Sequence, residues 1–315
     1  MRHKVFVDGQ EGTTGLKIHE RLAGRSDLEI LRIDPEKRKD KEARRSLLNE
    51  ADIVFLCLPD EASRESVSLI SNNTTKVLDA STAFRTDESW IYGLPELSIA
   101  QRKAISVSKR VAVPGCHATG FNIALYPLIH EGIVPRDYPL SCHSLTGYSG
   151  GGKKLIEKYE MLERSEKLKS PQLYALGLKH KHLAEMQKVN DLAYPPLFTP
   201  IIADYYQGMV VSIPLTKRLL NKKLTAKEIS TFMASYYSSE DFIHVMPYEA
   251  DYTPDNGFLN AMECNHTNNI QIFVFGRDEQ ILLVSRFDNL GKGASGAAVQ
   301  NMNIMLGLEE GIGLK

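Results

Sequence analysis

The stretch "VFVDGQEGTTGLKI", residues 5–18, decides the fold. A short apolar run ends at Asp8, glycines follow at 9, 12 and 15, and a helical pattern through Leu16, Ile18 and Leu22 takes over. Strand, Gly-rich turn and helix is the order in which a nucleotide-binding α/β unit begins. Glycine lets the backbone approach a pyrophosphate, and the helix start offers N–H groups and the positive end of its dipole. The spacing is GxxGxxG rather than GxGxxG, so the glycines alone would be ordinary turn chemistry. The strand before them and the helix after them give the dinucleotide reading. Gly9, Gly12 and Gly15 are the candidate backbone contacts, and the Thr13 and Thr14 hydroxyls suit phosphate oxygens.

The same grammar continues outward. "LEILRID" (28–34), "DIVFLCLP" (52–59), "KVLDAS" (76–81) and "RVAVP" (110–114) read as strands, with a helix-like segment from Glu61 to about Ser71. Continuous apolar runs such as 52–59 suit strands buried on both faces of a parallel sheet, and the helical spacers imply βαβ units. After Cys116 the pattern changes. Apolar residues at 121, 124, 125, 128 and 129 form a helical stripe. "QGMVVSIPL" (207–215), "NIQIFVFG" (269–276) and "QILLVSRFDN" (280–289) are strand-like, the last two at hairpin spacing. "YPPLFTP" (194–200) reads as a rigid loop. The tail from 292 has a small-residue helical face at 294, 297, 298, 301 and 305, suited to docking back on the first domain. The expected fold is α/β: a Rossmann-type dinucleotide-binding domain over 1–115, joined by the C-terminal helix 292–315, and an α+β domain over 116–291. The second domain is expected to hold a mixed or antiparallel sheet with helices on one side.

Composition excludes several classes. Charged residues are 24% of the 315 and balance to −1, so no basic excess points to nucleic acid. No apolar run approaches the roughly 20 residues needed to cross a bilayer, and the N-terminal "MRHKVFVDG" lacks a signal-peptide core. The four cysteines, at 57, 116, 142 and 264, have neither CxxC nor disulfide-scaffold spacing. A cytoplasmic chain with reduced thiols and no metal is expected.

The second strand ends at Asp34, an acid that would favour a free ribose 2′-hydroxyl, but Lys37, Arg38, Lys39, Lys41, Arg44 and Arg45 follow at once. Most of these belong to a solvated charged helix; one or two within reach of a 2′-phosphate, Arg38 foremost, favour NADP over NAD. Cys116 directly follows Pro114-Gly115 and precedes the helical stripe. It is either a small core filler or a thiol activated by a helix N-terminus, and its position alone leaves both open. A nucleophilic cysteine beside a nicotinamide suggests thioester chemistry, which needs an acid/base group. "GLKHKHLAEM" (177–186) offers His180 and His182, with Glu185 to orient one of them.

These motifs together resemble the N-acetyl-gamma-glutamyl-phosphate reductase family, in its shorter branch within the semialdehyde dehydrogenase superfamily. The resemblance runs nearly end to end: "DGQEGTTG" (8–15), "DASTAFR" (79–85), "YGLPEL" (92–97), "VPGCHATG" (113–120), "TGYSGGGK" (146–153), "HKHLAE" (180–185) and "FDNLGKGASGAAVQNMNIMLGLEEGIGL" (287–314). It implies an NADPH-dependent reductase of arginine biosynthesis that converts an acyl phosphate, N-acetyl-L-glutamyl 5-phosphate, to the semialdehyde. Cys116 is then the nucleophile and His180, ahead of His182, the acid/base. Ser81 and Arg85 contact the substrate, Ser149, Gly150 and Gly151 approach the cofactor, and Asn289 bonds the nicotinamide amide. The small-molecule substrate is accompanied by a second copy of the chain, in a homodimer or homotetramer.

Two departures from the family pattern matter. His117-Ala118 stands where the longer branch has Tyr-Pro, so His117 is a further candidate at the substrate and the proton. Leu183-Ala184 stands where Thr-Pro is common. Aspartate-semialdehyde dehydrogenases carry Asn-Cys-(Ser/Thr) where this chain has Pro-Gly-Cys-His, and an idle NADP-binding regulator would not keep the Cys116, His180 and His182 set.

Overall fold

The computed structural model describes residues 2–9, 12–248, 254–277 and 279–314. Gln10 and Glu11 of the Gly-rich turn, and Lys315 of the tail, lie outside the described residues. The chain divides into two compact units, Met1–Gly115 with Ala294–Lys315, and Cys116–Gly293. No helix among the described residues is long and apolar enough to cross a membrane.

The first unit carries strands β1 (His3–Asp8), β2 (Leu28–Leu31), β3 (Ile53–Leu56), β4 (Lys76–Asp79), β5 (Ile91–Tyr92) and β6 (Arg110–Ala112). Their order is β2-β1-β3-β4-β6-β5, with every pair parallel. Helices α1 (Thr13–Leu22), α2 (Lys41–Glu50), α3 (Asp60–Leu69) and α4 (Ile99–Val107) connect them. All four residues of β3 are buried, as a strand covered on both faces must be. Phe6, Val54, Leu56 and Val77 of the sheet meet Leu48 and Leu69, and Phe84 stacks on Trp90 with centroids 4.1 Å apart. Strand order reverses at β1, whose neighbours are β2 and β3. The crevice at such a reversal, outside the carboxyl ends of the strands, is where doubly wound sheets bind ligands. The Gly-rich turn leaves from that point.

The second strand is shorter than expected. It stops at Leu31 because Asp34 turns the chain, its carboxylate accepting from Glu36 N at 3.0 Å to cap a 3₁₀ turn over Pro35–Lys37. Asp40 then caps α2 through Ala43 N at 2.7 Å.

The second unit opens with α5 (Cys116–His130), followed by β7 (Ser141–Gly147), α6 (Lys153–Glu160), β8 (Gln172–Leu173), α7 (Leu183–Val189), β9 (Leu197–Ala203), β10 (Met209–Thr216), α8 (Ala226–Tyr236), β11 (Ile243–Val245), β12 (Ile270–Arg277) and β13 (Gln280–Phe287). Its sheet runs β11-β12-β13-β10-β7-β9-β8 and is mixed: β7 with β9 and β11 with β12 are parallel, the other pairs antiparallel. The β12–β13 hairpin is the one the spacing predicts. Met209, Val211, Ile213 and Leu215 of β10 are buried while Val210, Ser212, Pro214 and Thr216 are more open, so one face of the sheet is covered.

Two expectations need correcting. The "YPPLFTP" segment is not all loop: β9 begins at Leu197 and includes Pro200, whose carbonyl accepts from Tyr174 N at 3.1 Å. Helix α5 is buried around most of its circumference rather than along a stripe. It packs on β10 and β13, and Ser285 Oγ ties it to the sheet by donating to Gly120 O at 2.9 Å. The tail forms α9 (Gly296–Leu306), which belongs to the first unit and packs on α1, α4 and β4. Asn301 Nδ2 anchors it by donating to Gly93 O at 2.8 Å.

Candidate active site

In the first unit the turn after β1 fits a dinucleotide pyrophosphate. Gly9 holds φ at +90°, and a Cβ there would lie 2.3 Å from Cys57 O at the end of β3. Only glycine keeps the turn folded against β3. The N-cap of α1 is Gly12, which has no side chain to cap the helix. The N–H groups of Thr13, Thr14 and Gly15 therefore have no acceptor within the helix.

Just below this turn, the buried Asp8 carboxylate accepts from Arg44 at 3.0 Å and from Ser66 Oγ at 2.9 Å. Arg44, one of the cations grouped as possible 2′-phosphate contacts, is thereby committed to the interior. Arg38 stands exposed before α2. Ser81 Oγ donates to Asp79 Oδ2 at 2.6 Å, and burial pushes the Asp79 carboxyl above the usual range. Arg85 spends Nε on Val113 O at 2.9 Å and a second nitrogen on Ala80 O at 3.1 Å. Both partners are main-chain carbonyls, so this guanidinium also splints the loop to the end of β6.

In the second unit, the break at Pro114-Gly115 leaves Cys116 as the first residue of α5, where a thiol feels the helix dipole. The donor atoms of Cys116, His117 and His182 lie within 4.8 Å of one another. Gly293 leaves room beside them, since a Cβ there would sit 2.9 Å from the Cys116 Cβ. The other three cysteines are no rivals: burial pushes the Cys57, Cys142 and Cys264 thiols up, away from the thiolate.

The buried His117 ring is held at both nitrogens, Nδ1 2.7 Å from Ser144 Oγ and Nε2 2.8 Å from Tyr174 OH. Burial, with His180 and Lys181 nearby, pushes its pKa down to about 3, so the ring stays neutral. Tyr174 is pushed up, first by burial and then by the charge of Cys116, so its hydroxyl keeps its proton.

The His182 ring centroid is 5.3 Å from that of His117 and 4.7 Å from that of His180. His182 Nε2 lies 3.9 Å from Glu185 Oε1, with both side chains almost wholly buried. His180 is half-buried, and its Nδ1 accepts from the His182 main-chain N–H at 3.1 Å. The short lever from His180 to Glu185 on α7 thus brings one histidine to the thiol and stacks the other edge-on against it. Neither Ser144 nor Tyr174 carries a sequence signature of its own. Ser144 shows itself only as a polar residue at an inward position of β7, and Tyr174 only through its loop.

Ser149 and Asn289 come together. Asn289 Nδ2 donates to Ser149 Oγ at 3.0 Å and Asn289 Oδ1 accepts from Gly208 N at 2.8 Å. Gly150 packs against the same amide. Asn289 is therefore an organiser of the Ser/Gly-rich loop, with its amide already engaged at both ends. Gly151 lies apart from that pair. It lines a cavity of about 530 Å³ together with Lys154, Lys158, Tyr159 and Tyr174.

Residues 4–106 match the family described as semialdehyde dehydrogenase, NAD binding domain, and residues 116–289 match semialdehyde dehydrogenase, dimerisation domain. The chain is 48% identical to N-acetyl-gamma-glutamyl-phosphate reductase 2 of a Nostoc species, with 99% of each chain covered. It is 45% identical to the N-acetyl-gamma-glutamyl-phosphate reductase of a Chelativorans species, covering 97% of this chain and 99% of that one. Among solved structures, aspartate semialdehyde dehydrogenase of Francisella tularensis matches with a TM-score of 0.73 at 16% identity, covering 97% of this chain and all of that one. The Candida albicans enzyme of the same name, solved with NADP, matches with a TM-score of 0.67 at 14% identity, covering 97% and 99%. These two likenesses concern the fold.

Proposed function

Because the chain belongs to the N-acetyl-gamma-glutamyl-phosphate reductase family, we propose that it reduces N-acetyl-L-glutamyl 5-phosphate to N-acetyl-L-glutamate 5-semialdehyde and phosphate in arginine biosynthesis, with NADPH as reductant. The observation that carries this reading is the convergence of Cys116, His117 and His182 at the first turn of α5.

The Cys116 thiolate attacks the acyl carbon. Its new C–S bond replaces the C–O bond to phosphate, which departs as the leaving group. Bound NADPH supplies the hydride that takes the thioester to the aldehyde level. His182, whose ring nitrogen lies within 4.8 Å of the Cys116 sulfur, donates a proton to the oxyanion as it forms. It takes that proton back when the thiohemiacetal collapses and expels the Cys116 thiolate. The buried Glu185 carboxylate beside His182 stabilises the imidazolium form that exists before the donation and again after the proton is recovered. His117, neutral and clamped by Ser144 and Tyr174, fixes the wall behind the thiol. The exchange of roles between His180 and His182, relative to the sequence expectation, rests on the three-donor cluster. The cavity beside Tyr174 has room for the acyl chain, with Lys154 and Lys158 facing its carboxylate.

Gly9, Gly12 and the first turn of α1 hold the pyrophosphate, and Arg38, exposed just before α2, meets the 2′-phosphate. Two copies pair through the open face of the second unit's sheet, where the half-exposed Leu145, Ile201 and Val210 lie side by side in register. A reducing compartment, the cytoplasm, suits the thiol.

The test runs the reaction backwards. Protein, N-acetylglutamate semialdehyde, phosphate and NADP are mixed, and the absorbance of the reduced cofactor is followed. Steady production of NADPH is the expected result. Silence with that aldehyde, alongside turnover of aspartate semialdehyde, overturns the substrate.

A further inference from the structure

We propose that Cys116, His117 and His182 also form a site for one soft divalent cation, Zn²⁺ above all, which reversibly silences the thiol. One sulfur and two imidazole donors within 4.8 Å of one another are already gathered. Around tetrahedral zinc, Zn–S of about 2.3 Å and Zn–N of about 2.0–2.1 Å put neighbouring donors roughly 3.5 Å apart. Side-chain shifts of about an ångström close the remaining gap. Two of the three side chains are nearly buried, at 3% and 4% exposure, so the donors arrive largely stripped of competing water. The donor set also selects the metal: thiolate and imidazole suit Zn²⁺, whereas Mg²⁺ and Ca²⁺ take oxygen ligands.

The surroundings supply what a metal-bound histidine needs. Ligating rings are oriented by a hydrogen-bond partner on their other nitrogen. His117 has a hydroxyl on each, Ser144 Oγ at 2.7 Å and Tyr174 OH at 2.8 Å. Surrendering one to the metal leaves the other to fix the ring. For His182, the buried Glu185 carboxylate 3.9 Å from Nε2 is a counter-charge rather than a hydrogen-bond acceptor. On binding, the Cys116 S–H proton passes to solvent and an S–Zn bond forms, with no change of oxidation state. The fourth position stays open to water or an anion. Since metal and acyl substrate need the same sulfur, binding of one excludes attack on the other.

Cobalt serves as the visible probe, and no substrate is needed, so the outcome does not depend on the reductase reading. Co²⁺ is titrated into chelator-treated full-length protein. Wild type should take up one equivalent with a thiolate-to-cobalt charge-transfer band in the near ultraviolet, which Zn²⁺ then bleaches and Mg²⁺ does not. Zn²⁺ should also slow iodoacetamide labelling of Cys116, read by peptide mass, and EDTA should restore it. Cys116→Ser should lose the band. His182→Asn should weaken binding about tenfold or more, the scale lost with even an outer partner of a metal site. Should that variant fail to fold by circular dichroism, His117→Gln carries the same test. Absence of the band in wild type, or its survival in Cys116→Ser, overturns the site.

Discussion

The turn after β1 and the nest around Cys116 are built in opposite ways. The turn is made of main chain: Gly9, Gly12 and the opening residues of α1 are contiguous, and what they offer is N–H groups and the absence of Cβ atoms. The nest is made of side chains from four places, the start of α5, β7, the segment around Tyr174 and the entry to α7. A main-chain site needs only local conformation, whereas a side-chain site needs the topology of a whole sheet. The turn can therefore be altered residue by residue with graded effect, while the nest stands or falls on individual groups.

That contrast predicts an ordering of effects. Cys116→Ser should cut kcat by on the order of 10³-fold or more, since removing a nucleophile disables the whole unit, with the melting temperature nearly unchanged; full activity would break the comparison outright. His182→Asn should cost about 10²–10⁴-fold in kcat, and His180→Asn far less. A reversed pair of results, from steady-state rates, would return the proton to His180. Gly9→Ala should raise the KM for NADPH about tenfold and cost about 1–3 kcal/mol of stability through a strained backbone, read together by kinetics and thermal melts. Arg38→Ala should raise the KM for NADPH about fivefold, a charge-assisted contact discounted for exposure, without touching NADH. Equal loss with both cofactors would move the 2′-phosphate elsewhere.

The smallest effect concerns Asp79. Burial raises its carboxyl pKa, so between the ordinary aspartate value, about 3.9, and the raised one the folded state binds a proton that the unfolded state lacks. Stability contributed by this group therefore grows as pH falls through that window and is lost as pH rises out of it. Asp79→Asn should flatten that part of the stability curve and raise the melting temperature at neutral pH by about 1–3 °C. Melts recorded across pH check it, and an unchanged slope would mean that Asp79 does not titrate with folding.

The same contrast explains what was legible in the sequence. Strand, turn and helix of the first unit are local patterns, so β1, β3, β4 and the Gly-rich turn are directly legible, as is the β12–β13 hairpin, whose strands are only two residues apart. Strand β2 is shorter than its apolar pattern suggests because Asp34 looks like a strand-end acid but is spent capping a turn. Strand β9 is hidden in the sequence by Pro200, which favours a loop reading, though its carbonyl still serves Tyr174. Around the thiol, family resemblance supplied Cys116 and the two histidines. It did not supply Ser144 or Tyr174, whose importance arises only when β7 and β8 bring them to His117. The preference between His180 and His182 likewise turns on which way a two-residue lever faces, and no periodicity encodes that.

Arg44 carries a lesson for anyone retuning the coenzyme preference of this chain. A scan of the cations between 37 and 45 that reads nucleotide binding is expected to flag it beside Arg38, though for a different reason. Its guanidinium neutralises the carboxylate one residue before Gly9. Without it, an uncompensated anion would lie under the diphosphate bridge that NADPH and NADH share, repelling both alike. Engineering toward NADH has to leave that counter-ion alone and work on the exposed rim.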